Sequence, residues 1–185
     1  MDEVPNPSQP GIENEPLPVR HLVFICTGNT CRSPLAEVLC KKRLAEQLGC
    51  APEELPARGF LITSAGLSAF PGDSAAEFAQ GVSREYGMDL SGHFSQPLSP
   101  DLAAQAAQLV CMTCGHRYLL TECYPELGCE PRLLSPEGHD LMDPVGQDEE
   151  VYRACAARIW SDLEPLVREL LSDSRVEPPQ ERGGT

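Results

Sequence analysis

Residues 20–26 read RHLVFIC, with no polar residue after His21. A short apolar run of this kind predicts a strand buried on both faces. The period then changes. Leu35, Val38, Leu39 and Leu44 recur near helical spacing, which predicts a helix over 34–48. The same reading predicts strands at 59–64, 109–112 and 132–134. It predicts helices at 73–86, 101–107, 115–121 and 149–171. Gly87 is placed to close the second helix, and Ser99 with Pro100 to open the third. Pro165 is a site for a kink in the last helix. Strands alternating with helices predict the α/β class: a three-layer α-β-α fold around a central parallel sheet of about four strands.

Composition sets the boundaries. The chain has 185 residues, the size of one domain, and 41% are apolar. Residues 1–19 carry five prolines, four acids and no base apart from the amino terminus, so a disordered arm is expected there. Residues 173–185, DSRVEPPQERGGT, are expected to be a frayed tail. The domain is then 20–172, and a monomer is expected. No apolar run reaches membrane-spanning length. The first residues have neither the basic start nor the apolar core of a secretory signal. Nine cysteines make an odd set, which fits reduced thiols in the cytoplasm better than a disulfide scaffold. Net charge is −14 overall, and residues 20–172 hold 21 acids against 12 bases, a net of −9. That argues against broad nucleic-acid binding. It leaves room for a small anion site built from backbone N–H groups and one arginine.

The candidate chemistry lies at the first strand end. Ligands of open α/β sheets sit outside the carboxyl ends of strands, and Cys26 stands at such an end. The loop 27–31 contains Gly28 and Asn29, residues that tolerate left-handed backbone. Its successive N–H groups can form an anion nest, and the helix after Ser33 and Pro34 adds its positive end. Arg32 can present two parallel donors to an oxyanion. Together these would hold Cys26 as a thiolate at the floor of a phosphate cradle, where it can act as a nucleophile in phosphoryl transfer. Neither GxxxxGK[ST] nor GxGxxG is present, so nucleotide loops do not compete. The reaction also needs a proton donor for the leaving group. Asp140 and Asp143, both in EGHDLMDPVG, are candidates. Asp143 is restrained by Pro144, while Asp140 has the look of a cap.

CTGNTCRSP at 26–34 resembles, nearly residue for residue, the phosphate loop of the low-molecular-weight protein tyrosine phosphatases, which share their fold with certain arsenate reductases. Ser64-Ala65-Gly66, Val110-Cys111-Met112-Thr113 and Asp143-Pro144 resemble further segments of that family. The likeness spans roughly 20–172. It implies that Cys26 is the nucleophile, Arg32 the phosphoryl clamp and Asp143 the general acid. Thr27, Gly28, Asn29, Thr30, Cys31 and Ser33 then form or support the cradle, with Asn29 fixing the loop and Ser33 donating to the Cys26 thiolate. Cys31 matches a family cysteine that pairs reversibly with the nucleophile, a protective chemistry for an oxidisable thiolate.

The resemblance implies a phosphorylated protein side chain as substrate, inorganic phosphate as product, and no metal or cofactor. Cys111, Cys114 and His116 have zinc-like spacing, but Cys111 falls inside a buried strand. The four histidines, at 21, 93, 116 and 139, show no catalytic pattern and read as structural. Phosphotyrosine is the family default. Phosphoarginine is the alternative, since Thr30 stands where tyrosine-directed members carry an aliphatic residue, and Val145 where many have paired aromatics. Arsenate reduction and a non-catalytic phospho-residue binding module are the remaining readings. The first lacks a late cysteine relay, and the second does not explain Cys26 and Asp143 together.

Overall fold

The computed structural model describes residues 19–172. The arm expected at 1–19, apart from Val19, and the tail expected at 173–185 lie outside the described residues. Four strands, β1 (Arg20–Cys26), β2 (Phe60–Gly66), β3 (Gln108–Cys111) and β4 (Arg132–Leu133), form one sheet in the order β2-β1-β3-β4, and every pairing is parallel. The helices are α1 (Arg32–Leu48), α2 (Glu77–Glu85), α3 (Pro100–Gln105), α4 (Cys114–Cys123) and α5 (Glu149–Ser172), the last continuing past Pro165.

Side chains of β1 alternate between two cores. Leu22, Phe24 and Cys26 face one layer, with Leu35, Leu39 and Leu44 of α1, Val82 of α2 and Ile159 and Leu163 of α5. Val23 and Ile25 face the other, with Ala103 of α3 and Leu120 of α4. Both faces of β1 are covered, so its sequence shows no polar alternation. Cys26 therefore ends a central strand on the face occupied by α1 and α5.

The expected three-layer α-β-α fold is the one observed. The differences lie at element ends. The helix expected from residue 73 starts at Glu77, because Asp73 and Ser74 are drawn into extended pairing instead. Ser74 bridges Phe94, Asp73 O accepts from Ser95 N at 2.8 Å, and Ala76 N donates to Thr30 O at 2.9 Å. Tertiary hydrogen bonds here override local helix preference. Helix α1 begins two residues early, at Arg32, with Pro34 still inside the first turn where its missing N–H costs nothing. A 3₁₀ segment, Pro52–Arg58, was not anticipated. The expected opening of α3 holds: Ser99 Oγ accepts from Leu102 N at 3.1 Å, with Pro100 in the first turn.

Gly66, the partner of Cys26 in β1–β2 pairing, is the tightest point beneath the 27–31 loop. A Cβ there would lie 2.5 Å from Thr27 O, 2.9 Å from Ala69 Cβ and 3.0 Å from Asn29 N. Two of these are backbone atoms of the loop, which cannot yield without moving it. Gly66→Ala is expected to cost about 1–3 kcal/mol, the usual range for overpacking, and to lower turnover as well. Urea unfolding and steady-state kinetics check both, and unchanged stability would show that the loop has slack.

Candidate active site

The loop between β1 and α1 folds over the sulfur of Cys26, which is almost fully buried. Asn29 N–H donates to Cys26 Sγ at 3.2 Å, and Ser33 Oγ lies 3.0 Å from the same atom. Asn29 takes the left-handed conformation, φ 56°, and is the one non-glycine residue to do so among those described. Gly28 was expected to share that role and does not, since its φ is not positive. The short Asx side chain explains the choice. It tolerates this backbone and uses it to reach polar partners. Asn29 Nδ2 donates to Ser33 Oγ and to Ser64 Oγ, both at 2.9 Å, while Oδ1 accepts from Gln96 N at 2.9 Å.

Helix α1 has no acid in its first turn and no side-chain cap, so its positive end stays available to an anion. Arg32 is buried. Its Nη2 donates to Asp143 Oδ2 at 2.5 Å and lies 3.5 Å from Thr27 Oγ1, and its Nη1 lies 3.4 Å from Leu141 O. The loop carrying Asp143 is anchored by Leu141 N–H on Met112 O, just beyond β3, at 2.8 Å. Asp143 Oδ1 accepts from Val145 N at 3.2 Å across Pro144. Asp140 behaves differently. Its Oδ1 accepts from Cys114 N at 2.6 Å, the first N–H of α4, and this bond lowers its carboxyl pKa. It caps a helix, as its sequence context suggested.

Two histidines read as structural in sequence prove to brace the loop. His93 Nε2 bonds Asn29 O at 2.8 Å. His116 Nε2 bonds Thr27 Oγ1 at 2.9 Å, and its Nδ1 bonds Thr113 Oγ1 at 2.9 Å. Burial, and then the charge of Arg32, push the His116 pKa down to about 4. The ring therefore stays neutral across the ordinary working range and adds no charge beside the arginine. Nothing local marks these histidines, because their partners lie 64 and 89 positions away.

Cys31 is buried in the same core as Cys26. Its sulfur sits 3.2 Å from Tyr152 OH and 3.6 Å from Thr30 Oγ1. Burial raises its pKa, and Tyr152 and Thr30 only partly offset that. All nine cysteines are free. Cys111 is buried in β3 and Cys114 is exposed at the start of α4. Among the described residues no three His, Cys, Asp or Glu side chains converge as a metal site would require. No helix among the described residues is long and apolar enough to cross a membrane. Phe70 and Phe94 are exposed, and their segments are joined where Ser95 Oγ donates to Phe70 O at 2.5 Å. Tyr118 is exposed on α4.

The geometry is thus a buried sulfur under converging donors, a buried guanidinium beside it and a carboxylate on the guanidinium. Such a set can hold a tetrahedral oxyanion against a nucleophile. Residues 21–176 match the family model described as low molecular weight phosphotyrosine protein phosphatase. The protein-arginine-phosphatase of Geobacillus stearothermophilus is 32% identical over 84% of this chain and 97% of its own. Among solved structures, the YwlE arginine phosphatase mutant with a phosphorylated active-site serine superposes with a TM-score of 0.74. It is 29% identical and covers 85% of this chain and 99% of its own. The low molecular weight protein tyrosine phosphatase from T. tengcongensis gives 0.71 at 29% identity, covering 81% of this chain and 99% of its own. The chain belongs to the low molecular weight phosphotyrosine protein phosphatase family and is, with it, a cysteine-dependent phosphatase.

Proposed function

We propose that this phosphatase acts on phosphoarginine in proteins. The observation that carries the reading is its near full-length likeness to proteins named as arginine phosphatases, in sequence and in structure. This reverses the order of the sequence reading, which put phosphotyrosine first. Two local features agree. Thr30 offers a hydroxyl beside the cradle, and Val145 rather than an aromatic ring follows Asp143-Pro144.

In the proposed reaction the phosphoryl oxygens take the loop N–H groups and Arg32, displacing Asp143 from the guanidinium. Once off the guanidinium, Asp143 takes up a proton from solvent; Cys26 attacks phosphorus, the P–N bond breaks, and Asp143 gives that proton to the departing guanidine nitrogen. Water then attacks the phospho-cysteine. Asp143 takes its proton, Cys26 leaves as thiolate, and inorganic phosphate is released. A YwlE relative carrying phosphate on its substituted active-site serine supports the covalent step. Phosphotyrosine is the second reading, favoured by exposed Phe70 and Phe94, which can wall a phenyl ring.

Cys26→Ser is expected to abolish turnover of p-nitrophenyl phosphate while the fold persists, as judged by circular dichroism. A chelator is expected to leave the parent active. Full activity in the variant would remove Cys26 from its role. Asp143→Ala is expected to lower turnover by about 100-fold to 10,000-fold, with larger losses for poor leaving groups. Equal loss on phenyl phosphate and on an activated ester would point to another acid.

Substrate choice is tested by kcat/KM on matched phosphoarginine and phosphotyrosine peptides, since specificity is differential transition-state binding. The parent is expected to prefer phosphoarginine. Thr30→Ile is expected to move the ratio toward phosphotyrosine by roughly 5-fold to 150-fold, the worth of one buried hydrogen bond. A parent that strongly prefers phosphotyrosine, with a variant that does not differ, would decide for the second reading.

A further inference from the structure

Glu37 lies one helical turn after Ser33 on the same face of α1, and its side chain is largely buried. Its Oε2 accepts from Ser64 Oγ at 2.6 Å, and its Oε1 accepts from Lys41 Nζ at 2.6 Å. Ser64 in turn accepts from Asn29, which also donates to Ser33, and Ser33 reaches Cys26. The chain Glu37–Ser64–Asn29–Ser33–Cys26 is a run of hydrogen bonds, and donor counting fixes the direction of each.

A carboxylate paired with lysine only accepts, so the single proton of Ser64 goes to Glu37. Ser64 then faces Asn29 with lone pairs. The amide of Asn29 cannot turn over, because its Oδ1 already accepts from the backbone N–H of Gln96. Both N–H bonds of that amide therefore point outward, one to Ser64 and one to Ser33. Ser33 keeps one proton and has two acceptors, Cys26 Sγ at 3.0 Å and Ala65 O at 3.4 Å. The nearer acceptor, when anionic, takes it. The sulfur thus receives donors from both Ser33 and Asn29.

We propose that Glu37 is a positioning residue for the nucleophile: its carboxylate takes the Ser64 proton, which leaves Ser64 free to accept from Asn29 and so anchors the amide whose other N–H leaves the Ser33 proton for the Cys26 sulfur. This rests on Cys26 being the reactive thiol, and it is independent of the substrate. In Glu37→Gln the new amide can donate into Ser64 Oγ and compete with Asn29, so Asn29 keeps its orientation through Gln96 but loses one of its anchors, and its bond to Ser33 is loosened. Other ionisable groups in and around the cradle are Arg32, Cys31, His116, Asp143 and, from α5, Cys155. Facing Glu37 itself is Lys41.

The test is the rate of Cys26 alkylation by iodoacetamide across pH, read by mass spectrometry on the peptide containing Cys26. The full chain is compared with Glu37→Gln, Ser64→Ala, Lys41→Met and Ser33→Ala, each checked by thermal unfolding. Glu37→Gln is expected to move the midpoint of the profile up by about half a unit to one unit, a roughly threefold to tenfold slower reaction on the acid side. Ser64→Ala, which cuts the next link and leaves the Lys41 pair intact, is expected to move it likewise, and it serves if Glu37→Gln does not fold. Lys41→Met is expected to leave it in place. If Ser33→Ala moves the profile while Glu37→Gln and Ser64→Ala overlay the parent, Glu37 is only a helix partner of Lys41 and the inference fails. If Cys26 in the parent reacts no faster at pH 6 than the other cysteines, it is the assignment of the nucleophile that fails.

Discussion

Asn29 is the constraint on which the site depends. Its side chain is fully buried and its backbone is left-handed, a conformation that costs an L-residue roughly 1–2 kcal/mol. The structure offsets that cost by satisfying every polar group the residue has. Its N–H goes to Cys26, its carbonyl to His93, its amide oxygen to Gln96 and its amide nitrogen to Ser33 and Ser64. Through one residue the end of β1, the start of α1, β2 and the 93–97 segment are held in mutual register. Gly66 makes the arrangement possible from below by leaving the space its Cβ would fill. A fold that merely buried this loop would carry an unsatisfied amide instead, at the full desolvation cost of that group.

The electrostatics follow from the same economy. The chain is strongly acidic, yet the cradle has to attract a dianion. Net charge does not decide this; the nearest groups do. The opening turn of α1 contains no acid, Arg32 is buried so its field is weakly screened, and His116 is kept neutral beside it. The one acid brought into contact is Asp143, and it sits on Arg32 rather than on the sulfur. That position neutralises the guanidinium while the cradle waits. On the proposed reading, that contact is the one an incoming phosphoryl group would displace.

How much of this the sequence displayed depends on the range of the interactions. The β1–loop–α1 unit was legible because its determinants lie within about two dozen residues: an apolar run, a tight turn and a helical period. The parallel sheet followed from alternation. Asp143 stood out in sequence as a restrained Asp-Pro and the resemblance preferred it to Asp140; the structure sets Asp143 on Arg32 and Asp140 on the first N–H of α4. The start of α2 was misread because Asp73 and Ser74 are claimed by partners 20 residues on, a pairing that no local propensity records. His93 and His116 read as structural, and the same long range hid which segment they brace. Gly28 and Asn29 read alike as left-handed candidates, but only Asn29 brings an amide to the centre of the network.

Substrate choice is the least local property of all, since it is set by surfaces that meet only above the folded cradle. The two proposed substrates make different demands on those surfaces. A phosphorylated phenol brings a dianion and an apolar ring, and it gains from Phe70 and Phe94 only if they close on it. A phosphorylated guanidine brings the same phosphoryl group joined to a polar, planar unit that can carry positive charge. The cradle chemistry is common to both substrates, so discrimination has to come from the rim: on the proposed reading the Thr30 hydroxyl and the unaromatic Val145 suit the guanidine, and the exposed Phe70 and Phe94 suit the ring.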